Sequence, residues 1–328
     1  MRLLVTGGAG YVGSVVARRL RAAGHETVIL DDLSTGHRAA VERPDDLVQG
    51  DFGDRLRVGG LLEARRIDAV VHLAASCLVG ESVADPAAYY RNNLERSLAL
   101  LDRMRQAGVL RFVLSSTAAV YGEPAALPID EDHPTRPANP YGDTKLALER
   151  ALHWYHAAHG LRFVALRYFN AAGATSDGAL GEDHRPESHL VPNVLRAALT
   201  GEPVPIFGSD YPTPDGTAVR DYVHVEDLAE AHLAALRRLE SRAAGESFNL
   251  GNGHGFSVLQ VIETARRVTG RPIPVRPAGR RPGDPGTLVA SAQRARRELG
   301  WAPRFAELGA ILETAWRFLR QHPDGYSA

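Results

Sequence analysis

The segment LLVTGGAGYVGS, residues 3–14, decides the fold of this chain. A short apolar run passes directly into closely spaced glycines and then into a helix-forming run. This order predicts a strand, a tight turn and a helix. The glycines fit either Gly7-x-x-Gly10-x-x-Gly13 or Gly8-x-Gly10-x-x-Gly13, and both spacings let a pyrophosphate approach the backbone at the positive end of the helix. We therefore predict a dinucleotide-binding turn.

Two acidic residues close the next predicted strand. Residues 25–30 form a largely apolar run that ends at Asp31 and Asp32, about 20 positions after the glycines. A carboxylate at this point accepts hydrogen bonds from a ribose 2′-hydroxyl and repels a 2′-phosphate. His37 and Arg38 follow shortly afterwards and would offset part of that repulsion. The sequence therefore predicts NAD rather than NADP as the cofactor.

Composition places the chain among ordinary globular proteins. Its 328 residues suggest roughly two domains, with 44% hydrophobic and 23% charged residues. The net charge of −1 gives no reason to expect nucleic acid or an anionic membrane as a partner. No apolar run approaches the roughly 18 residues that a membrane-spanning helix needs. We expect neither kind of partner.

The single cysteine, Cys77, excludes a disulfide within the chain and is typical of a reducing compartment. The first residues lead straight into a strand and show no secretory leader pattern. We therefore expect a cytoplasmic protein. We also expect Cys77 to be a small buried residue, because free cysteine usually behaves as an apolar side chain.

The first half of the chain alternates strand-like and helix-like segments. This alternation predicts an α/β fold with a Rossmann-type doubly wound parallel sheet. After residue 170 the sequence becomes richer in glycine, proline and polar residues, which predicts a smaller mixed α/β lobe. We assign residues 1–170, and about 222–250, to an NAD-binding domain. Residues 171–221 and 251–328 are assigned to a substrate-binding lobe, with the site in the cleft between them.

Tyr141 and Lys145 carry the predicted chemistry, because their spacing places a phenol and an ammonium on one face of a helix. A phenol needs its pKa lowered by about three units, or roughly 4 kcal/mol, to act as a base near neutrality. The Lys145 cation and an oxidised nicotinamide would favour the phenolate. A strand ending in Ser115, Ser116 and Thr117 offers a hydroxyl for the substrate oxygen. The predicted reaction removes an alcohol proton as hydride leaves the same carbon.

Several segments together resemble one enzyme family. The glycine turn, the Tyr-x-x-x-Lys pair and the Ser-Ser-Thr strand end resemble the extended short-chain dehydrogenase/reductase superfamily. Within it, the chain resembles the UDP-glucose 4-epimerase family through VGES, YYRNN, RYFN, IFGSDY and VRDYVHV, at residues 79–82, 89–93, 167–170, 206–211 and 219–225. The resemblance covers nearly the whole chain.

This resemblance implies a tightly held NAD that is reduced and reoxidised within one turnover. Tyr141 would take the proton of the sugar 4-hydroxyl, and the 4-keto sugar would turn about its diphosphate link before hydride returns. The products would be UDP-glucose and UDP-galactose. The family also implies a homodimer joined through the helices at residues 86–106 and 141–159.

The resemblance assigns residues to three groups. The catalytic residues are Tyr141, Lys145 and Thr117. The cofactor-binding residues are Gly7, Gly10, Tyr11, Val12, Gly13, Asp31, Asp32, Asp51, Phe52, Leu73, Ala74, Ala75, Asn92, Ser115, Tyr141, Lys145 and Tyr168. The substrate-binding residues are Thr117, Tyr141, Asn170, His189, Leu190, Phe207, Arg220, Arg281, Asp284 and Leu288. No metal centre is predicted.

Some positions depart from the family pattern or keep a simpler interpretation. Thr117 stands where relatives commonly carry serine, Cys77 where they often carry a cofactor-binding lysine, and His189 where some carry asparagine. Leu288 falls where the residue beside the sugar C2 substituent closes the pocket. Arg220 could instead form a surface ion pair with Asp221.

Three other functions remain open. An epimerase for a UDP-N-acetylhexosamine or a UDP-glucuronate would share every motif described above. A nucleotide-sugar 4,6-dehydratase would need an Asp-Glu pair after the strand-end threonine, where this chain has Ala118 and Ala119. A non-enzymatic NAD-sensing protein would often lack the tyrosine or the lysine, and this chain keeps both.

Overall fold

The computed structural model describes residues 1–241, 245–281 and 284–327. The strands are β1 (Arg2–Thr6), β2 (Glu26–Asp31), β3 (Leu47–Gln49), β4 (Ala69–His72), β5 (Arg111–Thr117), β6 (Arg162–Tyr168), β7 (Asn170–Ala172), β8 (Val204–Phe207), β9 (Val219–His224), β10 (Gly245–Leu250), β11 (Gly255–Ser257), β12 (Val275–Ala278) and β13 (Thr287–Leu288). The helices are α1 (Tyr11–Ala22), α2 (Arg55–Ala64), α3 (Val79–Ala84), α4 (Pro86–Tyr89), α5 (Arg96–Gln106), α6 (Pro140–His159), α7 (Leu190–Thr200), α8 (Val225–Ser241), α9 (Val258–Thr269), α10 (Gln293–Leu299) and α11 (Leu308–Gln321).

A parallel sheet of seven strands forms the centre of the molecule. Its strand order is β10-β6-β5-β4-β1-β2-β3. Read from β3, this is the 3-2-1-4-5-6 order of dinucleotide-binding folds, extended by one strand. The added strand β10 pairs with β6 from Gly245 opposite Phe163 to Leu250 opposite Tyr168. The predicted Rossmann-type fold class is confirmed.

The central strands are continuously apolar because both faces of the sheet are covered by helices. Successive side chains of a strand point to opposite faces, so neighbours in β1 enter different cores. Leu3 and Val5 pack in a cluster with residues of α1 and α8. Leu4 packs in a second cluster with residues of α2, α5 and α6. Burying each such side chain contributes about 1.5–3 kcal/mol.

A second lobe packs against the carboxyl edge of this sheet. Its core joins α7, α9 and α11, and its strands form a four-stranded sheet of β7, β9, β11 and β13 and a pair of β8 and β12. Tyr11 directly follows Gly10 of the glycine turn, and its hydroxyl donates to the Gly173 carbonyl at 2.6 Å. The Nε2 atom of His37, a residue beyond the end of β2, lies 3.0 Å from the Asp183 carbonyl oxygen. These contacts place the cleft at the carboxyl ends of the strands.

The predicted helix at residues 86–106 is helical along its length but not uniform. A π-helical segment, Tyr90–Glu95, separates α4 from α5. Such segments often occur at functional sites, since the extra residue changes the direction of the side chains. Within the described residues, no helix is both long enough and apolar enough to cross a lipid bilayer.

A buried ion pair links α6 to β6. The Glu149 carboxylate accepts from the Arg167 guanidinium at 2.5 and 3.0 Å, and both side chains are at least nine-tenths buried. Ser116 donates to the same carboxylate at 2.5 Å, and Arg167 donates to the Tyr121 hydroxyl at 2.9 Å. The Glu149 and Arg167 charges therefore stabilise each other, because an unpaired charge that is buried in the protein interior is strongly unfavourable.

We expect Glu149→Gln to lower the free energy of unfolding by about 3 kcal/mol, because it leaves the Arg167 charge buried without a counterion. Glu26→Gln is the matched control, since the Arg2–Glu26 pair at 3.1 Å is largely exposed. That control should change the free energy of unfolding by less than about 1 kcal/mol. Urea unfolding at equal NAD content measures both values. Equal effects of the two substitutions would contradict the assignment.

Candidate functional site

The glycine turn is the cofactor end of the site. Gly7 has φ +73°, and a Cβ there would lie 2.5 Å from the Ala74 nitrogen. A Cβ on Gly13 would lie 2.0 Å from the Gly7 carbonyl oxygen. Gly10 is the N-cap of α1 and has no side chain to occupy its first N–H groups, those of Tyr11 and Val12. This open, positively polarised helix end fits a pyrophosphate.

Asp31 holds this turn in place. Its carboxylate accepts from the Ala9 N–H at 2.9 Å and from the Leu33 N–H at 2.9 Å. Burial raises the pKa of Asp31, whereas these two hydrogen bonds act to lower it. Each carboxylate oxygen keeps a further lone pair, so a ribose hydroxyl fits beside it. Asp32 is exposed and accepts from the Ser34 N–H at 2.9 Å.

Further predicted cofactor residues line the same edge of the sheet. The Arg96 guanidinium lies 3.2 Å from the Asp51 carboxylate and donates to the side-chain oxygen of Asn92 at 2.9 Å. Phe52 is buried with its ring edge-on to His72, at 5.0 Å between centroids. The remaining members follow directly from the strand ends: Leu73, Ala74 and Ala75 after β4, and Tyr168 at the end of β6. The fold therefore gathers residues from the ends of three strands, β3, β4 and β6, and from the π-helical segment.

Tyr141 lies in the first turn of α6, which begins at Pro140 and is capped by the Asn139 side chain. Burial, with the nearby Cys77 and Tyr168, raises the pKa of Tyr141, and the Thr117 side chain partly offsets this. Lys145 donates from Nζ to the Ser115 carbonyl at 3.0 Å. Burial lowers the pKa of Lys145 to about 8.

The prediction that Lys145 and an oxidised nicotinamide together lower the pKa of the phenol concerns the protein with its cofactor bound. In the protein alone, the Lys145 ammonium donates to a backbone carbonyl. Burial is the main cause of the raised pKa of the Tyr141 phenol. A lowered phenol pKa therefore requires additional positive charge at the site.

The three strand-end hydroxyls have different surroundings. His232 donates from Nδ1 to the Leu228 carbonyl at 2.8 Å, so its Nε2 accepts from Ser115 at 3.0 Å. Ser116 donates to buried Glu149. Thr117 accepts from the Ala119 N–H at 3.1 Å and lies beside Tyr141. Among these three, Thr117 is the hydroxyl next to the phenol.

The second lobe brings four predicted substrate residues together. The Arg220 guanidinium donates to the Asp284 carboxylate and, at 2.7 Å, to the Pro285 carbonyl. Arg281 lies 3.2 Å from Asp284, and its guanidinium sits 4.9 Å from the centre of the Phe207 ring. Two guanidinium groups held by one carboxylate, one of them beside an exposed aromatic ring, fit a diphosphate and a flat base.

The alternative pairing of Arg220 with Asp221 is wrong. Asp221 is fully buried, and its carboxylate accepts from the N–H groups of Asn252, Gly253 and Ala290 at 2.8–3.1 Å. Burial raises the pKa of Asp221 to about 6. Adjacent residues of β9 point in opposite directions, so Arg220 faces the cleft while its neighbour anchors the backbone.

The other predicted substrate residues frame this cluster. Asn170 begins β7, and Leu190 begins α7 with His189 as its N-cap residue. His189 Nδ1 lies 2.9 Å from Glu182 and 3.0 Å from Glu187, so its ring is already engaged. Leu288 is paired in register with Arg220 and packs against the cluster that contains Ala118, Leu146 and Phe169.

Cys77 is exposed, so the expectation that it is buried is wrong. It lies in the irregular segment between β4 and α3, where parallel sheets hold their ligands, rather than in the core. The sequence analysis also missed Asn93, which is buried and bonds both the N–H and the carbonyl of Ser76 at 2.9 Å. The paired asparagines at 92–93 were the available signal.

The chain was compared with known proteins. The model of the NAD dependent epimerase/dehydratase family matches residues 3–251. UDP-glucose 4-epimerases of Lacticaseibacillus casei and Streptomyces lividans are 50% and 53% identical, covering 99% of this chain and 99% and 98% of theirs. A crystal structure of UDP-glucose 4-epimerase from Bifidobacterium longum, in complex with NAD⁺ and UDP, has a TM-score of 0.95 at 38% identity, covering 99% of this chain and 100% of that one.

Proposed function

The chain belongs to the NAD dependent epimerase/dehydratase family, and on this premise we propose that it interconverts UDP-glucose and UDP-galactose by inverting carbon 4 of the hexose. The observation that carries the proposal is the contact between Tyr141 and Thr117 at the carboxyl end of β5, in a sheet whose first strand ends in the glycine turn. One end of the cleft fits a dinucleotide and the other fits a nucleoside diphosphate.

Residues 1–170, with about 222–250, supply the cofactor end of the cleft. Gly7 and Gly13 admit the pyrophosphate, and Asp31 accepts from the ribose. NAD, when bound, supplies a hydride acceptor and, in its oxidised form, positive charge near the phenol. That charge is what the Tyr141 environment lacks in the protein alone, because burial raises its pKa.

Tyr141 accepts the proton of the sugar 4-hydroxyl. Thr117 hydrogen-bonds the same sugar oxygen and keeps it in line with the phenol. Lys145 is a positioning residue, since its ammonium donates to the Ser115 carbonyl and adds positive charge beneath the site. The return step uses the same groups in reverse, because a phenol that has taken a proton can give it back.

The second lobe, residues 171–221 and 251–328, anchors the diphosphate. Arg220 and Arg281 provide charge-assisted bonds, and Asp284 holds both guanidinium groups in position. The 4-keto sugar then turns about its diphosphate link while the nucleotide stays fixed. Inversion follows because the opposite face of the ring is presented to the same proton and hydride positions.

Two competing functions fit the cleft less well. Elimination of water needs an acid and a base after Thr117, and Ala118 and Ala119 offer neither. A sensing role without turnover would not need Tyr141 and Lys145 together, and both are kept beside the strand end.

Tyr141→Phe tests the base directly. We expect epimerisation to fall by about 10²–10⁴-fold, because the ring still packs but the proton acceptor is gone. Bound NAD and the unfolding midpoint should stay near those of the parent. Tyr155→Phe is the control, since it removes a hydroxyl from the same helix that bonds Asp102 at 2.7 Å, outside the cleft. Activity of Tyr141→Phe within a few-fold of the parent would overturn the assignment.

Leu288 tests the sugar range. Its side chain offers an N-acetyl group no hydrogen bond and fills part of the space, and over-packing of this kind costs about 1–3 kcal/mol. We expect UDP-N-acetyl sugars to be handicapped by roughly 10- to 150-fold relative to UDP-galactose. Leu288→Ser should raise activity on the N-acetyl pair and keep UDP-galactose within about tenfold.

The control for this experiment is Leu56→Ser, because Leu56 is 86% exposed on α2. Equal catalytic efficiency of the parent enzyme on UDP-galactose and UDP-N-acetylgalactosamine would refute the role of Leu288. So would a Leu288→Ser variant with unchanged selectivity.

We also propose a homodimer joined through α5 and α6. Trp154, on α6, is 75% exposed, and Tyr90, just before α5, is 39% exposed. Large aromatic side chains in such positions are typical of association surfaces. Trp154→Glu should halve the mass in sedimentation equilibrium, whereas Leu56→Glu should not. A parent protein that sediments as a single chain would contradict the proposal.

A further inference from the structure

Four side chains from one short segment converge beside the glycine turn. Glu182, His184, Glu187 and His189 each present one ligand atom, and these atoms all lie within 4.8 Å of one another. We propose that this cluster binds one divalent transition-metal ion, with Zn²⁺ as the expected occupant. The proposal concerns a structural metal and does not depend on which sugar the enzyme uses.

The ligand atoms lie within 4.8 Å of one another, close enough for a small tetrahedral site, with His184 nearest to Oε2 of Glu187 and His189 nearest to its Oε1. The contacts between imidazole Nδ1 atoms and carboxylate oxygens measure 3.2 and 3.7 Å for His184, and 2.9 and 3.0 Å for His189. Nitrogen and oxygen ligands at about 2.0–2.1 Å from a tetrahedral zinc lie roughly 3.3 Å apart. The observed contacts fall on both sides of this value.

One carboxylate is already oriented and incompletely bonded. Glu187 Oε1 accepts the N–H groups of Ser188 and His189, each at 2.8 Å. Its other oxygen, Oε2, is buried and has no hydrogen-bond partner within the described residues. Water cannot easily satisfy it, because the Glu187 side chain is only 2% exposed. His184 Nδ1 is likewise buried without a well-aligned partner. Buried polar atoms of this kind require a ligand or a partner.

The donor set selects the class of ion. Two imidazoles and two carboxylates suit zinc and its neighbours, whereas Mg²⁺ and Ca²⁺ prefer oxygen ligands alone. Two carboxylates also balance the charge of one divalent cation. The sequence analysis predicted no metal centre, because the spacing of these four residues follows no standard zinc motif.

The position of the cluster suggests what the ion would stabilise. The ring of His184 lies 6.4 Å from that of Tyr11, the first residue of α1, and His189 is the N-cap residue of α7. An ion here would fix the start of α7, in the substrate lobe, against the start of α1, in the cofactor domain.

The test measures zinc directly. The full-length protein is treated with a chelator, dialysed against micromolar Zn²⁺ and analysed by mass spectrometry for metal content. We expect about one zinc per chain, with X-ray absorption showing nitrogen and oxygen ligands at about 2.0–2.1 Å and no sulfur. Glu187→Gln and His184→Asn should each lower the zinc content at least tenfold. His159→Asn, an exposed histidine at the end of α6, should keep it.

Two results would overturn the proposal. One is a parent protein that takes up no zinc under these conditions. The other is zinc that is retained equally in both ligand variants. The parent measurement stands alone if a variant fails to fold, which circular dichroism in the absence of metal would reveal.

Discussion

The close approach of Gly7 and Gly13 is the constraint on which the rest of the structure depends. The carbonyl of one glycine occupies the space where the other would carry a Cβ. This contact draws α1 onto β1 and β4 and opens the N-terminus of the helix toward the cleft. Asp31, the last residue of β2, accepts a hydrogen bond from the Ala9 N–H and so connects the glycine turn to β2. The packing of α1 on the sheet and the opening for the cofactor thus depend on the same few atoms.

The two lobes share apolar packing as well as polar contacts, since Leu180 and Phe318 of the second lobe belong to the same buried cluster as Val5 of β1. Arg18 bonds Asp177 at 2.6 Å, and Tyr11 bonds the Gly173 carbonyl. Exposed ion pairs contribute little stability individually, about 0–1 kcal/mol each. The apolar packing therefore contributes more to the stability of the contact between the lobes than these ion pairs do, and the polar contacts help to fix their relative position.

The sequence was sufficient for the sheet and its helices because their patterns are local. Continuous apolar strands, glycine turns and the Tyr141–Lys145 spacing can all be read within a few residues. The short strands β7, β9 and β13 could not be predicted, because each is stabilised by partners far away in the chain. The alternative pairing of Arg220 with Asp221 was wrong for the same reason, because its partner Asp284 lies 64 residues away in the chain. The prediction that Cys77 is buried was wrong because a loop residue belongs to no periodic pattern that would indicate which way its side chain points.

The strand β10 has a consequence for how the chain is made. It occupies the edge of the central sheet beside β6, yet 76 residues, most of them in the second lobe, lie between the two strands in sequence. During synthesis the edge of β6 therefore emerges from the ribosome long before its partner. An unpaired strand edge can associate with other chains. Expression at high temperature should be most sensitive to events in this interval, when the nascent chain has an open sheet and no strand to close it.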